Sequence, residues 1–132
     1  VRRTSPKPSW YNKTKLQVKR IYDPAQEQDG YRVLVDRLWP RGISKEKAQL
    51  DDWAKDLAPT AELRQSFHHE ELTFAQFEKA YLKELNESEE ALAHRKALQA
   101  RLKEQPVTLL TANKDMDHSQ VTSLMEWLQK KD

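Results

Sequence analysis

Apolar positions follow two rhythms along this chain. From Lys15 to Tyr22 they alternate, with Leu16, Val18 and Arg20 toward one side and Gln17, Lys19 and Ile21 toward the other, which predicts a first strand. "DPAQEQDG" then supplies turn chemistry at both ends, as Asp23-Pro24 and Asp29-Gly30. A second strand is predicted over Tyr31 to Leu38, where the unbroken run Val33-Leu34-Val35 calls for burial on both faces.

From Ser44 onward the rhythm is helical. Ser44 caps a short helix through Ala48, and Leu50 to Leu57 reads as another, stopped by Pro59 because the residue before a proline avoids helical geometry. Thr60 caps a helix through Phe67. In "LTFAQF", Thr73 and Gln76 have capping-box spacing, Leu72 and Phe77 stand where a hydrophobic staple would join, and Phe74, Phe77, Tyr81 and Leu85 share one face. Ser88 opens the next helix, with Glu89 and Glu90 near its positive dipole end and a sparser stripe of Leu92, Leu98 and Leu102. After Pro106, "VTLLTAN" reads as a third buried strand. Asp117 and Gln120 repeat the capping-box spacing ahead of a last helix whose Val121, Leu124, Met125 and Leu128 face inward.

The order strand, strand, helices, strand, helix suits a right-handed crossover between parallel strands. The link between the first two strands admits two geometries, an antiparallel hairpin loop or an extended return to a parallel start. The expected fold is α/β: a small, mainly parallel three-stranded sheet covered by helices, three-layered and Rossmann-like, in a single domain. That domain spans residues 16–132, and residues 1–15 form a flexible basic arm with two prolines and no periodicity.

Composition narrows the class. A chain of 132 residues that is 37% hydrophobic and 33% charged has material for one core beneath a very polar surface. No apolar run approaches the roughly 18 residues of a membrane span, so no membrane partner is expected. The absence of cysteine excludes disulfides, thiolate metal sites and a thiol nucleophile, and a cytoplasmic setting is the default. Net charge is +2 but uneven: residues 1 to 20 hold seven bases and no acid, leaving 16 bases against 21 acids elsewhere. A basic arm precedes a moderately acidic body.

Candidate chemistry concentrates where the strands end, because ligands of open parallel sheets lie beyond the carboxyl ends. "VLVDRLWPRGIS" turns from aliphatic to Asp36, Arg37, Trp39, Pro40 and Arg41 within a few positions. Alternation puts Asp36 on the face of Leu34 and Leu38, where a carboxylate needs a cation or several donors. It reads as a general base or ligand anchor, or alternatively as a structural ion pair. Arg37, Arg41 and Arg64 have the fork that grips phosphate or carboxylate, with Lys55 a further candidate cation. His68 lies four residues after Arg64 and so shares its helix face. Asn113, Lys114 and His118 precede the last helix, whose free N–H groups favour an anion; the alternative is a plain polar loop capped by Asp117. Trp39 and Trp53 can stack on a ligand ring or simply fill core. No metal-ligand spacing and no glycine-rich phosphate loop occurs, and the residues imply no particular cofactor.

The segments "KRIYDPAQEQDGYRVLVDRLWPRGISKEKAQLDDWAKDLAPTAELRQSFHH" and "VTLLTANKDMDHSQV" resemble the YeaO-like branch of domain-of-unknown-function family 488 over about residues 16 to 130. The resemblance implies an α/β domain and carries over Asp36, Arg37, Trp39, Pro40, Arg41, Gly42, Trp53, Lys55, Arg64, Phe67 and His68. Longer relatives are similar to "LLCAEKDPEHCHR" at the third strand. Lys114, Asp115 and His118 match that pattern, whereas Ser119 replaces its cysteine and Gln120 the next histidine, which removes any thiol chemistry.

The first expectation is a cationic strand-end pocket for an anionic small molecule, phosphate- or carboxylate-bearing. Asp36 and His118 would handle protons there; Arg37, Trp39, Arg41, Lys55, Arg64, His68, Asn113 and Lys114 would bind. Any chemistry would be hydrolysis or transfer. The alternatives are a nucleic-acid binder that uses the arm and a non-catalytic interaction module.

Overall fold

A computed structural model describes residues 16–113 and 120–129 of the chain. Four strands form one sheet: β1 Leu16–Arg20, β2 Tyr31–Leu34, β3 Asp52–Trp53 and β4 Val107–Thr111. Their spatial order is β1-β4-β2-β3 and every pairing is parallel. The helices are α1 Lys45–Ala48, α2 Ala61–His68, α3 Phe74–Glu87, α4 Glu89–Leu102 and α5 Gln120–Gln129.

The expected α/β sheet is therefore present with four strands rather than three. The additional one, β3, occupies the start of the segment expected as a helix over Leu50 to Leu57, and a 3-10 turn at Lys55–Leu57 takes the rest. Short range explains the correction. Asp51 N–H donates to the Arg32 carbonyl and Ala54 N–H to the Leu34 carbonyl, both at 2.8 Å, so the β2 edge captures a segment too short to show a strand period.

The link between β1 and β2 takes the extended return. Leu16 and Tyr31 both sit opposite Val107, with β4 inserted between the two strands. Gly30 completes the return at φ 66°, and a Cβ there would lie 2.1 Å from the Pro106 carbonyl oxygen, an approach only glycine permits.

Two cores flank the sheet. Leu16, Val33, Val35, Val107 and Leu109 pack with α2, α3, α4 and α5 through Leu63, Phe77, Tyr81, Leu98, Leu124 and Trp127. Ile21, Leu34, Ala48 and Leu110 make a smaller cluster on the opposite face, closed by Trp39, Ile43 and Trp53. The three layers are thus unequal, with long helices on one side and only α1 and loops on the other. That thinner side also holds a buried ion cluster. Asp29 binds Lys19 at 3.0 Å and Arg32 at 2.6 Å. Burial pushes the Asp29 pKa up, but the Gln26 backbone N–H and the two cations outweigh it and hold the carboxyl below its usual value.

The caps expected from sequence form at Ser44, Thr60, Thr73 and Ser88, each side chain accepting a backbone N–H of the first turn. Thr73 and Gln76 make the full reciprocal capping box. The expected Asp117 cap lies outside the described residues, as does the arm.

Candidate functional site

The second strand stops at Leu34, not at Leu38 as its apolar run predicts. Val35 N–H still donates to the Leu110 carbonyl at 3.0 Å, and then the chain leaves the sheet. Its next residues are pinned individually. The Trp53 indole N–H donates to the Asp36 carbonyl at 2.7 Å, and the Arg37 guanidinium donates to the carbonyls of Pro59 at 3.0 Å and Ala58 at 3.3 Å. The Trp39 indole N–H donates to the Ile43 carbonyl at 2.8 Å, and the Tyr22 hydroxyl to the Arg41 carbonyl at 2.7 Å. Leu38 is left 71% exposed at the rim instead of sharing a buried face with Leu34.

Asp36 crosses to the end of β4. Its carboxylate accepts from the Thr111 hydroxyl at 2.7 Å, the Ala112 backbone N–H at 2.8 Å and, more weakly, the Gln120 side-chain amide at 3.4 Å. The Asn113 side-chain amide in turn donates to Gln120 Oε1 at 2.9 Å. The carboxyl ends of β2 and β4 therefore meet through side chains that lie 75 or more residues apart in sequence. Burial pushes the Asp36 pKa up, against the pull of the Ala112 N–H, the Thr111 hydroxyl and the nearby Arg64 charge.

A cavity of about 200 Å³ opens beside this junction, lined by Asp36, Arg37, Trp39, Arg64, Asn113 and Gln120 together with Leu38, Pro40, Ala58 and Ala112. Of its two guanidiniums, that of Arg37 is committed to the loop before α2. Arg64 differs: its charge reaches Asp36, yet among the described residues its side chain makes no hydrogen bond or direct ion pair.

Other candidates lie elsewhere. Arg41 is exposed and contributes its carbonyl to Tyr22. Lys55 sits over the Trp53 ring at 4.1 Å. His68 is exposed at the end of α2, its ring 6.2 Å from that of Phe67. None of these three lines the cavity. Lys114 and His118 fall outside the described residues. Sequence reading missed Thr111 and Gln120 as partners of Asp36. A threonine closing a largely aliphatic strand, at the same sheet end as Asp36, was a usable signal for the first, whereas Gln120 was read as a capping residue. Among the described residues no group of three or more His, Cys, Asp or Glu side chains is arranged to hold a metal ion.

Comparison with known proteins decides the family. The model of the "Inactive DUF488-N3 subclade" matches residues 15–131. The chain belongs to that subclade. This DUF488-N3 protein is similar to the uncharacterised YeaO protein of Escherichia coli strain K12, with 46% identity over 113 residues, covering 86% of this chain and 96% of the relative. It is similar to the uncharacterised Rv3073c protein of Mycobacterium tuberculosis H37Rv, with 43% identity over 95 residues, covering 72% and 80% respectively. No solved structure matches it. The DUF488-N3 assignment agrees with the resemblance drawn from "VDRLWPRG" and the α2 segment, both inside the matched range.

Proposed function

We propose that the strand-end cavity is a recognition site for a small molecule bearing a phosphate or carboxylate, and that it binds rather than turns over its ligand. The observation that carries this reading is Arg64, a guanidinium on the cavity wall with five N–H donors and no hydrogen-bond partner among the described residues. A planar fork of this kind matches a carboxylate or phosphate edge with two parallel hydrogen bonds. Ordering its side chain costs about 0.5–1.5 kcal/mol, which two charge-assisted hydrogen bonds of about 1.5–3 kcal/mol each offset.

Asp36 supports binding over catalysis. Thr111, Ala112 and Gln120 occupy three of its roughly four accepting positions, so the carboxylate is held mainly as a structural acceptor. The carboxyl acts as the tie between β2 and β4 and shapes the wall that Arg64 faces. The name of the subclade, which calls it inactive, points the same way.

Calorimetric titration with phosphate, sulfate and adenosine monophosphate tests the reading. Binding to the native chain should weaken at least about tenfold, or 1.4 kcal/mol, in Arg64→Gln, a variant that breaks no side-chain hydrogen bond among the described residues and so should fold normally. Equal binding by the variant, or no binding by the native chain, would overturn it. Release of phosphate from a monoester, abolished in Asp36→Asn, would replace the binding reading with a hydrolase.

A further inference from the structure

We propose that His94 is a positioning residue for the strand-end cavity, holding β3 and the Trp53 indole in place only while its ring is an imidazolium. The proposal rests on the anion-site reading above and adds its regulation. His94 projects from α4 between two carboxylates, with Nδ1 2.7 Å from Asp56 Oδ2 and Nε2 2.8 Å from Asp52 Oδ2. A neutral imidazole has one N–H and one lone pair, so it can satisfy one carboxylate while turning a lone pair toward the other. The imidazolium donates to both. One proton therefore decides whether α4 is joined to both β3 and the Lys55–Leu57 turn, or to one of them.

The path to the cavity is short and covalently continuous. Asp52 and Trp53 together make up β3. The Trp53 indole N–H holds the Asp36 carbonyl, and the Trp53 ring meets Trp39 edge-on at 5.3 Å. Asp36 and Trp39 both line the cavity. β3 is an edge strand of two residues, tied to β2 by its short parallel ladder, by backbone bonds from the flanking Asp51 and Ala54, and by the Arg32 N–H that donates to the Asp51 carboxylate.

Several charges surround the device. Burial works to lower the His94 pKa, but the hydrogen bonds and charges of Asp52 and Asp56 prevail and raise it. Asp52 also acts on Tyr31 of β2, alongside Arg101 and Asp51. On α4 itself Glu90 lies one turn before His94, and from the 3-10 turn Lys55 sits over the Trp53 ring.

The test uses the full chain with sulfate, which does not titrate in the range of interest. NMR follows the His94 ring and the Trp53 indole proton from about pH 5.5 to about pH 9, bracketing the free histidine value of about 6.5. His94 should titrate above that value, and the Trp53 indole signal should move with the same midpoint. Sulfate affinity should fall about fivefold across it, the equivalent of one hydrogen bond of about 1 kcal/mol. In His94→Gln, whose amide does not titrate, the indole signal should lose this pH dependence; in Asp56→Asn the midpoint should drop. A Trp53 signal that ignores the His94 titration, or a response that persists in His94→Gln, would overturn the proposal, as would sulfate affinity unchanged across the midpoint. Absence of sulfate binding at every pH, with Trp53 still following His94, would overturn the anion reading and leave the mechanical coupling standing.

Discussion

Removing the Asp36 carboxylate tests the junction on which the cavity is built. In Asp36→Ala the Ala112 N–H and the Thr111 hydroxyl lose their acceptor, after bonds of 2.8 and 2.7 Å to a carboxylate. Hydrogen bonds to charged groups are worth about 1.5–3 kcal/mol each, and relief of the buried charge returns part of that, so a net loss of about 3 kcal/mol is expected. Asp36→Asn should behave differently. Its amide oxygen can take the Ala112 N–H while its NH2 donates to Thr111, whose hydroxyl can rotate to accept, and the loss should be about 1 kcal/mol. Urea denaturation reads both. With a slope of about 2 kcal/mol per molar, the alanine variant's midpoint should fall by about 1.5 M and the asparagine variant's by about 0.5 M. An alanine variant as stable as the native chain, or two variants equally damaged, would refute this account of the junction.

Three further outcomes follow from the same geometry. Because the His94 pKa is raised, its contribution to stability is complete below the free value of about 6.5 and is lost as pH climbs through the folded value; thermal melts should show this decline in the native chain and not in His94→Gln. Gly30→Ala should cost about 3 kcal/mol because its new Cβ strikes the Pro106 carbonyl, whereas Gly42→Ala, at φ 77° with open space around it, should cost about 1 kcal/mol; paired melts compare them. Deleting residues 1–15 should leave sulfate affinity within about twofold and remove any salt-sensitive binding to duplex DNA, as measured across a salt series.

Much of this was legible in the sequence, for local reasons. Thr73 and Gln76 announced α3 because a capping box is a contact between residues three apart. The parallel sense of β2 and β4 followed from the helical length between them. What escaped depended on distant partners. Leu38 looked like strand because "VLVDRL" keeps its apolar rhythm, yet the tie from Asp36 to Thr111 and the grip of Arg37 on Pro59 pull the chain off the sheet before that point. β3 was invisible because two residues cannot display a period. Of the residues expected to share one pocket at the strand ends, Asp36, Arg37, Trp39, Arg64 and Asn113 line the cavity, whereas Arg41, Lys55 and His68 do not. The strand-end rule could not distinguish a guanidinium committed to backbone carbonyls, as in Arg37, from the unengaged one of Arg64. His94 carried no signal at all, since its two carboxylate partners lie 38 and 42 residues away.

Whether Arg64 receives an anion where the ends of β2 and β4 join is answered by a crystal soaked in phosphate. Phosphate density is expected within hydrogen-bonding distance of the Arg64 guanidinium, inside the cavity beside Asp36. An empty cavity, with phosphate bound only at other surfaces, would contradict it.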